Sequence, residues 1–103
     1  MSSYYVNFYT TDSNSNAGGG TLTLTDQGGH WSGSIDATLN GVGHIDSSLS
    51  VVEIANKGGL TEFEATDGGT FKAAILINPF NTASVAGSAM QGVYIYNICG
   101  YSN

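Results

Sequence analysis

Apolar residues in this chain recur at every second position, in short runs cut apart by glycine-rich turns, and no stretch carries the 3.6-residue period of a helix. Period two puts alternate side chains on opposite faces of a strand, so each run has one face to bury and one to show to water. Such runs cannot be stable singly. They predict an all-β fold, a small antiparallel β-sandwich or β-barrel of about seven to eight short strands, in one domain over residues 1–103.

Residues 4–11 alternate with Tyr4, Val6 and Phe8 on one face and Tyr5, Asn7 and Tyr9 on the other. The next nine residues, 12–20, are turn formers and read as a loop. Residues 21–26 turn Leu22 and Leu24 inward and Thr21, Thr23 and Thr25 outward. Residues 31–39 set Trp31, Ile35, Ala37 and Leu39 against His30, Ser32, Ser34, Asp36 and Thr38, with Gln27, Gly28 and Gly29 making a hairpin of the two runs. Asn40-Gly41 tolerates the positive φ of a type I′ turn and predicts another strand beyond it. Residues 48–55 and 60–66 follow as strands joined across 56–59, and Asp67-Gly68-Gly69 leads into a strand over 70–77. A last strand covers 93–98, after a longer connection over 78–91 in which Pro79 breaks the ladder. The strands at 71–77 and 93–98 are apolar on both faces, which suits a central place in a closed core or a subunit contact. A faint echo at forty residues pairs Gly28, Gly29, Trp31 and Ile35 with Gly68, Gly69, Phe71 and Ile75, as two similar hairpins also would.

Charge is scarce. Charged residues make up 10% of the chain against about 25% in ordinary domains, so hydroxyls, amides and glycine must form the surface. Eight acids against two lysines leave a net charge of −6, which repels a phosphate backbone, so neither nucleic acid nor an anionic membrane is an expected partner. The lone Cys99 lies in an apolar run and reads as a small buried hydrophobe, so no disulfide is expected. No apolar run approaches the length of a membrane-spanning helix, and the first residues lack the basic and apolar segments of a leader. The expectation is a soluble protein of the cytoplasm as synthesised, or one released without a classical leader.

Motifs for catalysis are missing: no G-x-S-x-G elbow, H-E-x-x-H, P-loop or C-x-x-C occurs, so no enzyme activity and no cofactor is expected. His30 and Asp36 share a strand face but lie roughly 20 Å apart at about 3.3 Å per residue. A contact between histidine and aspartate therefore requires His44 or Asp46 to find a partner across strands. Asp12, Asn14 and Asn16 repeat the first half of a calcium loop, but Ala17 stands where its glycine belongs and Thr23 where its bidentate acid belongs, so no metal is expected.

What remains is a low-charge face dense in short hydrogen-bonding groups, together with many aromatic rings. That is the material for holding a neutral, hydroxyl-rich ligand, with carboxylates and amides on vicinal hydroxyls and a ring under the apolar face of a pyranose. The reading is a non-catalytic, lectin-like domain that binds a glycan or glycoprotein and acts as a homo-oligomer. Its ligand-binding candidates are His30, Asp36, Asn40, Asp46, Asn78 and Asn81, with Trp31 or Tyr94 for stacking. The alternative is a protein-binding module, such as a hydrolase inhibitor offering residues 78–91, or a self-assembling structural protein.

Overall fold

The alternation read from the sequence becomes the wall of a barrel. In a computed structural model, which describes residues 2–11, 14, 16–39, 43–69, 71–80, 82–86, 89–90, 93–97 and 101–102, every strand pairing is antiparallel. For residues 2, 86, 89–90, 93–94, 96–97 and 101–102 the backbone alone is described. The strands are β1 (Ser2–Thr11), β2 (Ala17–Asp26), β3 (Trp31–Leu39), β4 (Gly43–Lys57), β5 (Leu60–Thr66), β6 (Lys72–Ile77), β7 (Ala83–Ala86), β8 (Ala89–Met90), β9 (Val93–Asn97) and β10 (Tyr101–Ser102). From β1 to β7 each strand pairs with the next in a simple meander, and β9 returns to the free edge of β1. β7 comes against β1 and β9, so the sheet is nearly closed. Closure is what an eight-stranded meander achieves when its strands tilt and stagger, and it leaves an interior just wide enough for side chains.

Those side chains are the inward half of each run. Val6, Leu22, Leu24, Ile35, Phe63, Ala65 and Ile75 are each at most 1% exposed, and Phe71 and Leu39 sit among them. Phe8 and Phe71 lie with ring centroids 5.9 Å apart, while Trp31 is wedged between Tyr4 at 5.9 Å and Phe63 at 4.6 Å, packed against the core. Removing a side chain of this size from water stabilises a fold by about 1.5–3 kcal/mol.

The turns are set by side chains that supply the acceptors the backbone lacks. Asp26 Oδ1 accepts from the N–H of Gly29 at 2.8 Å, and Asp67 Oδ1 from Gly69 at 3.0 Å and Phe71 at 2.8 Å. Thus the glycine echo does correspond to two hairpin ends, β2–β3 and β5–β6, each tied by an aspartate. Between Lys57 and Leu60 the turn has two residues, Gly58 and Gly59, with φ of +62° and +84°, the left-handed conformation glycine allows.

Several boundaries differ from the sequence expectation, among them the start of β1 at Ser2 and the end of β4 at Lys57, which leaves only residues 58–59 between β4 and β5. The loop over 12–20 is shorter, because β2 begins at Ala17: Gly18, Gly19 and Gly20 pair with Thr10, Tyr9 and Phe8. They are ladder residues, and at Gly19 and Gly20 the neighbouring strands leave no room for a side chain. A Cβ on Gly20 would lie 2.2 Å from the Asp36 carbonyl oxygen and 2.5 Å from Ala37 Cα. β4 starts at Gly43 instead of 48 and is the longest strand of the barrel. The strand expected over 70–77 runs from Lys72 to Ile77, with residue 70 outside the described residues. The connection over 78–91 holds two strands, β7 and β8, so Pro79 breaks the ladder only for the turn between Ile77 and Ala83. β6 is interior to the sheet, with Ala73, Ile75 and Ile77 buried and Ala74 and Leu76 half-buried on the outer side. The cysteine at position 99 lies outside the described residues.

Candidate functional site

Because β1 to β4 are in register, their outward side chains form rows across the sheet. One row is Asn7, Thr21, Asp36 and Asp46, each the direct cross-strand neighbour of the next. Beside it on one side runs Tyr5, Thr23, Ser34 and Ser48, and on the other Tyr9, Gly19, Thr38 and His44. Direct neighbours in such rows stand about 4.5–5.5 Å apart, within reach of one ligand ring. Short polar side chains therefore cover one outer flank of the barrel almost without interruption.

Two contacts organise it. His44 Nε2 lies 2.7 Å from Asp36 Oδ1, diagonally across β3 and β4. A carboxylate can only accept, so Nε2 carries the proton and donates, and in the neutral ring Nδ1 is left as an acceptor. Thr21 Oγ1 donates to Asn7 Oδ1 at 2.9 Å, which fixes the amide and leaves its NH₂ to face outward as a donor. Both members of the His44–Asp36 pair are largely exposed, at 61% and 68%, so the pair adds at most about 1 kcal/mol to stability. Its second carboxylate oxygen and the whole of Asp46 face solvent. Lys72 is paired with Glu64 at 3.7 Å on β6 and β5, and Lys57 stands at the end of β4, so neither lysine serves these two acids.

Gly19 is the one position of these three rows without a side chain. It lies between Tyr9, which is 44% exposed, and the exposed Thr38, and it cannot be filled: a Cβ there would meet the Phe8 carbonyl oxygen at 2.5 Å, and φ is +150°. The arrangement offers acceptors on Asp36, Asp46 and His44, donors and acceptors on Asn7, Thr21 and Thr38, and a partly open aromatic ring. It is chemically suited to a neutral ligand with several adjacent hydroxyls.

Of the residues chosen from sequence, Asp36 and Asp46 are brought together here. His30 is exposed at the β2–β3 turn, well away from them. Trp31 faces the interior and joins the aromatic cluster of Tyr4 and Phe63, which takes it off this face. Asn78 acts locally, on its own turn. Its Oδ1 accepts from the N–H of Phe80 at 2.9 Å and of Thr82 at 3.4 Å, fixing the chain between β6 and β7. Asn40 and Asn81 lie outside the described residues, as does the side chain of Tyr94, whose backbone pairs with Thr11. Of the half calcium loop, Asp12 also lies outside them, while Asn14 and Asn16 are exposed and engaged in contacts of their own. Among the described residues no group of three or more His, Cys, Asp or Glu is placed to hold a metal ion.

Asn7, Thr21, Thr38 and Tyr9 stand outside the ligand-binding candidates chosen from sequence, and His44, named there only as a cross-strand partner for an acid, is that partner for Asp36. The signal for His44 is in the pattern around Asn40-Gly41. A two-residue turn there would pair Leu39 with Val42 and set the outward Asp36 opposite the inward Ile45. The strands instead pair Leu39 with Gly43, so Ile45 meets Ala37, Asp46 meets Asp36, and His44 is one diagonal step from the aspartate. Comparison with protein-family models, with curated protein sequences and with solved structures finds no match to this chain.

Proposed function

We propose that the outer face of β1 to β4 is a non-catalytic binding site for neutral carbohydrate, repeated on a homo-oligomer. The observation that carries this reading is the Asp36–His44 contact set in a row with Asp46, Thr21 and Asn7. Asp36 and Asp46 accept from sugar hydroxyls, His44 holds Asp36 in place and offers Nδ1, and Asn7 donates. Tyr9, beside Gly19, supplies the ring. Each contact is weak alone, and repetition on a symmetric assembly is how weak sites gain avidity.

A glycan array with the labelled protein, followed by titration calorimetry on the best neutral oligosaccharide, tests the reading. Asp36→Ala and His44→Ala are expected to weaken binding at least about tenfold, in line with about 1.5–3 kcal/mol for hydrogen bonds to a charged group. Binding that ignores both substitutions, or no selective binding by folded protein, would discard it. A second reading, a site for a protein partner, is favoured by Phe80, which is 84% exposed at the tip of the β6–β7 turn.

A further inference from the structure

Side chains on one face of a strand repeat every second residue, about 6.6 Å apart at about 3.3 Å per residue. On β1 that spacing sets Tyr5, Asn7 and Tyr9 in line, and each heads one of the three rows that cross to β4. The middle row carries both carboxylates, Asp36 and Asp46, and the Asn7 amide fixed by Thr21. A tyrosine stands on either side of it, Tyr9 exposed and Tyr5 half-buried, the two about 13 Å apart along the strand. No lysine stands on any of the three rows.

The pattern stops at both ends. Beyond Tyr5 the next row is Ser3, Thr25 and Ser32, which has neither ring nor charge, and the hydroxyls of Ser3 and Thr25 lie 3.4 Å apart, within hydrogen-bond distance of each other. Beyond Tyr9 the next β1 residue on this face is Thr11, opposite Ala17 where β2 begins. Direction matters as well, because a closed sheet curves across its strands more than along them. A ligand laid across β1 to β4 has to bend round the wall; one laid along β1 and β2 meets all three rows while straight.

We infer that the ligand of this face is a linear neutral oligosaccharide lying along β1 and β2, with one sugar on each of three rows. This rests on the carbohydrate reading and adds length and direction to it. The spacing of about 6.6 Å leaves room for one sugar ring per row. The middle sugar gives its hydroxyls to Asp36 and takes the Asn7 amide, and its neighbours on either side lay their apolar faces against Tyr9 and Tyr5. Carboxylates in the middle row, with no cation beside them but His44 when protonated, turn acidic sugars away. A single sugar fills one row and leaves the other two wet.

Titration calorimetry with linear series of one to six units of glucose, mannose, galactose or N-acetylglucosamine tests it, with circular dichroism as the control for folding. In a series that binds, affinity is expected to rise about three- to tenfold at each step from one to three units and to level off beyond three. Tyr5→Ala and the exposed Ser34→Ala, both on the outermost row, are expected to weaken the trisaccharide about three- to tenfold and to leave the disaccharide, seated on the other two rows, unchanged. Equal affinity for one and three units, or a gain that continues evenly to six, overturns the inference and leaves the carbohydrate reading standing. Trisaccharide binding indifferent to both substitutions overturns it too. Folded protein that binds none of the four series overturns the carbohydrate reading, and this inference with it.

Discussion

The two halves of β4 share one strand but not one surface. In its first half, paired with β3, the outward residues are His44, Asp46 and Ser48; in its second half, paired with β5, Ser50, Val52, Ala55 and Lys57 stand outward and Ile54 is the bulged residue. On the inner face Ile45, Leu49 and Val51 pack toward the core, whereas every residue from Val52 to Lys57 is exposed. Burial therefore dictates only half of a strand, and the outer half is free to differ over a few residues. A polar, wettable flank and a tip that exposes Val52 and Ile54 are two separate uses of that freedom.

Substitutions can break this contrast in graded steps. The largest effect belongs to the core that both regions share: Ile35→Ala is expected to cost about 2–5 kcal/mol in urea unfolding and to loosen both regions together. Loss confined to one region would mean that they do not share a core. Asp36→Ala comes next, with carbohydrate affinity falling at least about tenfold while stability moves by less than about 1 kcal/mol. If stability falls instead, the polar face is structural and the contrast loses its functional meaning.

Asn78→Ala acts on the other end. It removes the acceptor of two backbone N–H groups and is expected to cost about 1 kcal/mol, with faster amide exchange at Phe80 and Thr82 and unchanged carbohydrate binding. The smallest effect is expected of Lys72→Ala, within about 0.5 kcal/mol, because its pairing with Glu64 is exposed and 3.7 Å long. A larger change there would show that the few charges of this surface carry more than their geometry implies.

Strands with clean alternation were readable residue by residue: the spans 31–39 and 60–66 coincide with β3 and β5. Where the reading slipped, a local rule competed with a tertiary one. Three glycines in a row signal a loop, yet Gly19 and Gly20 sit in the ladder because their neighbours exclude any Cβ. Polar residues around His44 hid the start of β4, because only Ile45 and Leu49 mark its inner face. The short β7, Ala-Ser-Val-Ala, is too small in side chain to stand out from a proline-containing connection. Site residues were harder still, since rows across a sheet depend on register. Asp36 and Asp46 were chosen separately, and only the pairing of Leu39 with Gly43 makes them neighbours.

The meander has a consequence for how the barrel assembles. Every pairing from β1 to β7 joins strands consecutive in the chain, so each needs only a short loop to close. The pairings of Tyr9 with Tyr96 and of Tyr4 with Ser102 join nearly opposite ends of the sequence and bring β9 against β7, where the sheet nearly closes. Local hairpins reward their closure entropy early, and distant ones late, so β9 and β10 should dock last and set the folding rate. Until they do, one edge of β1 lies open to any passing strand, which makes the slow step also the one most exposed to aggregation.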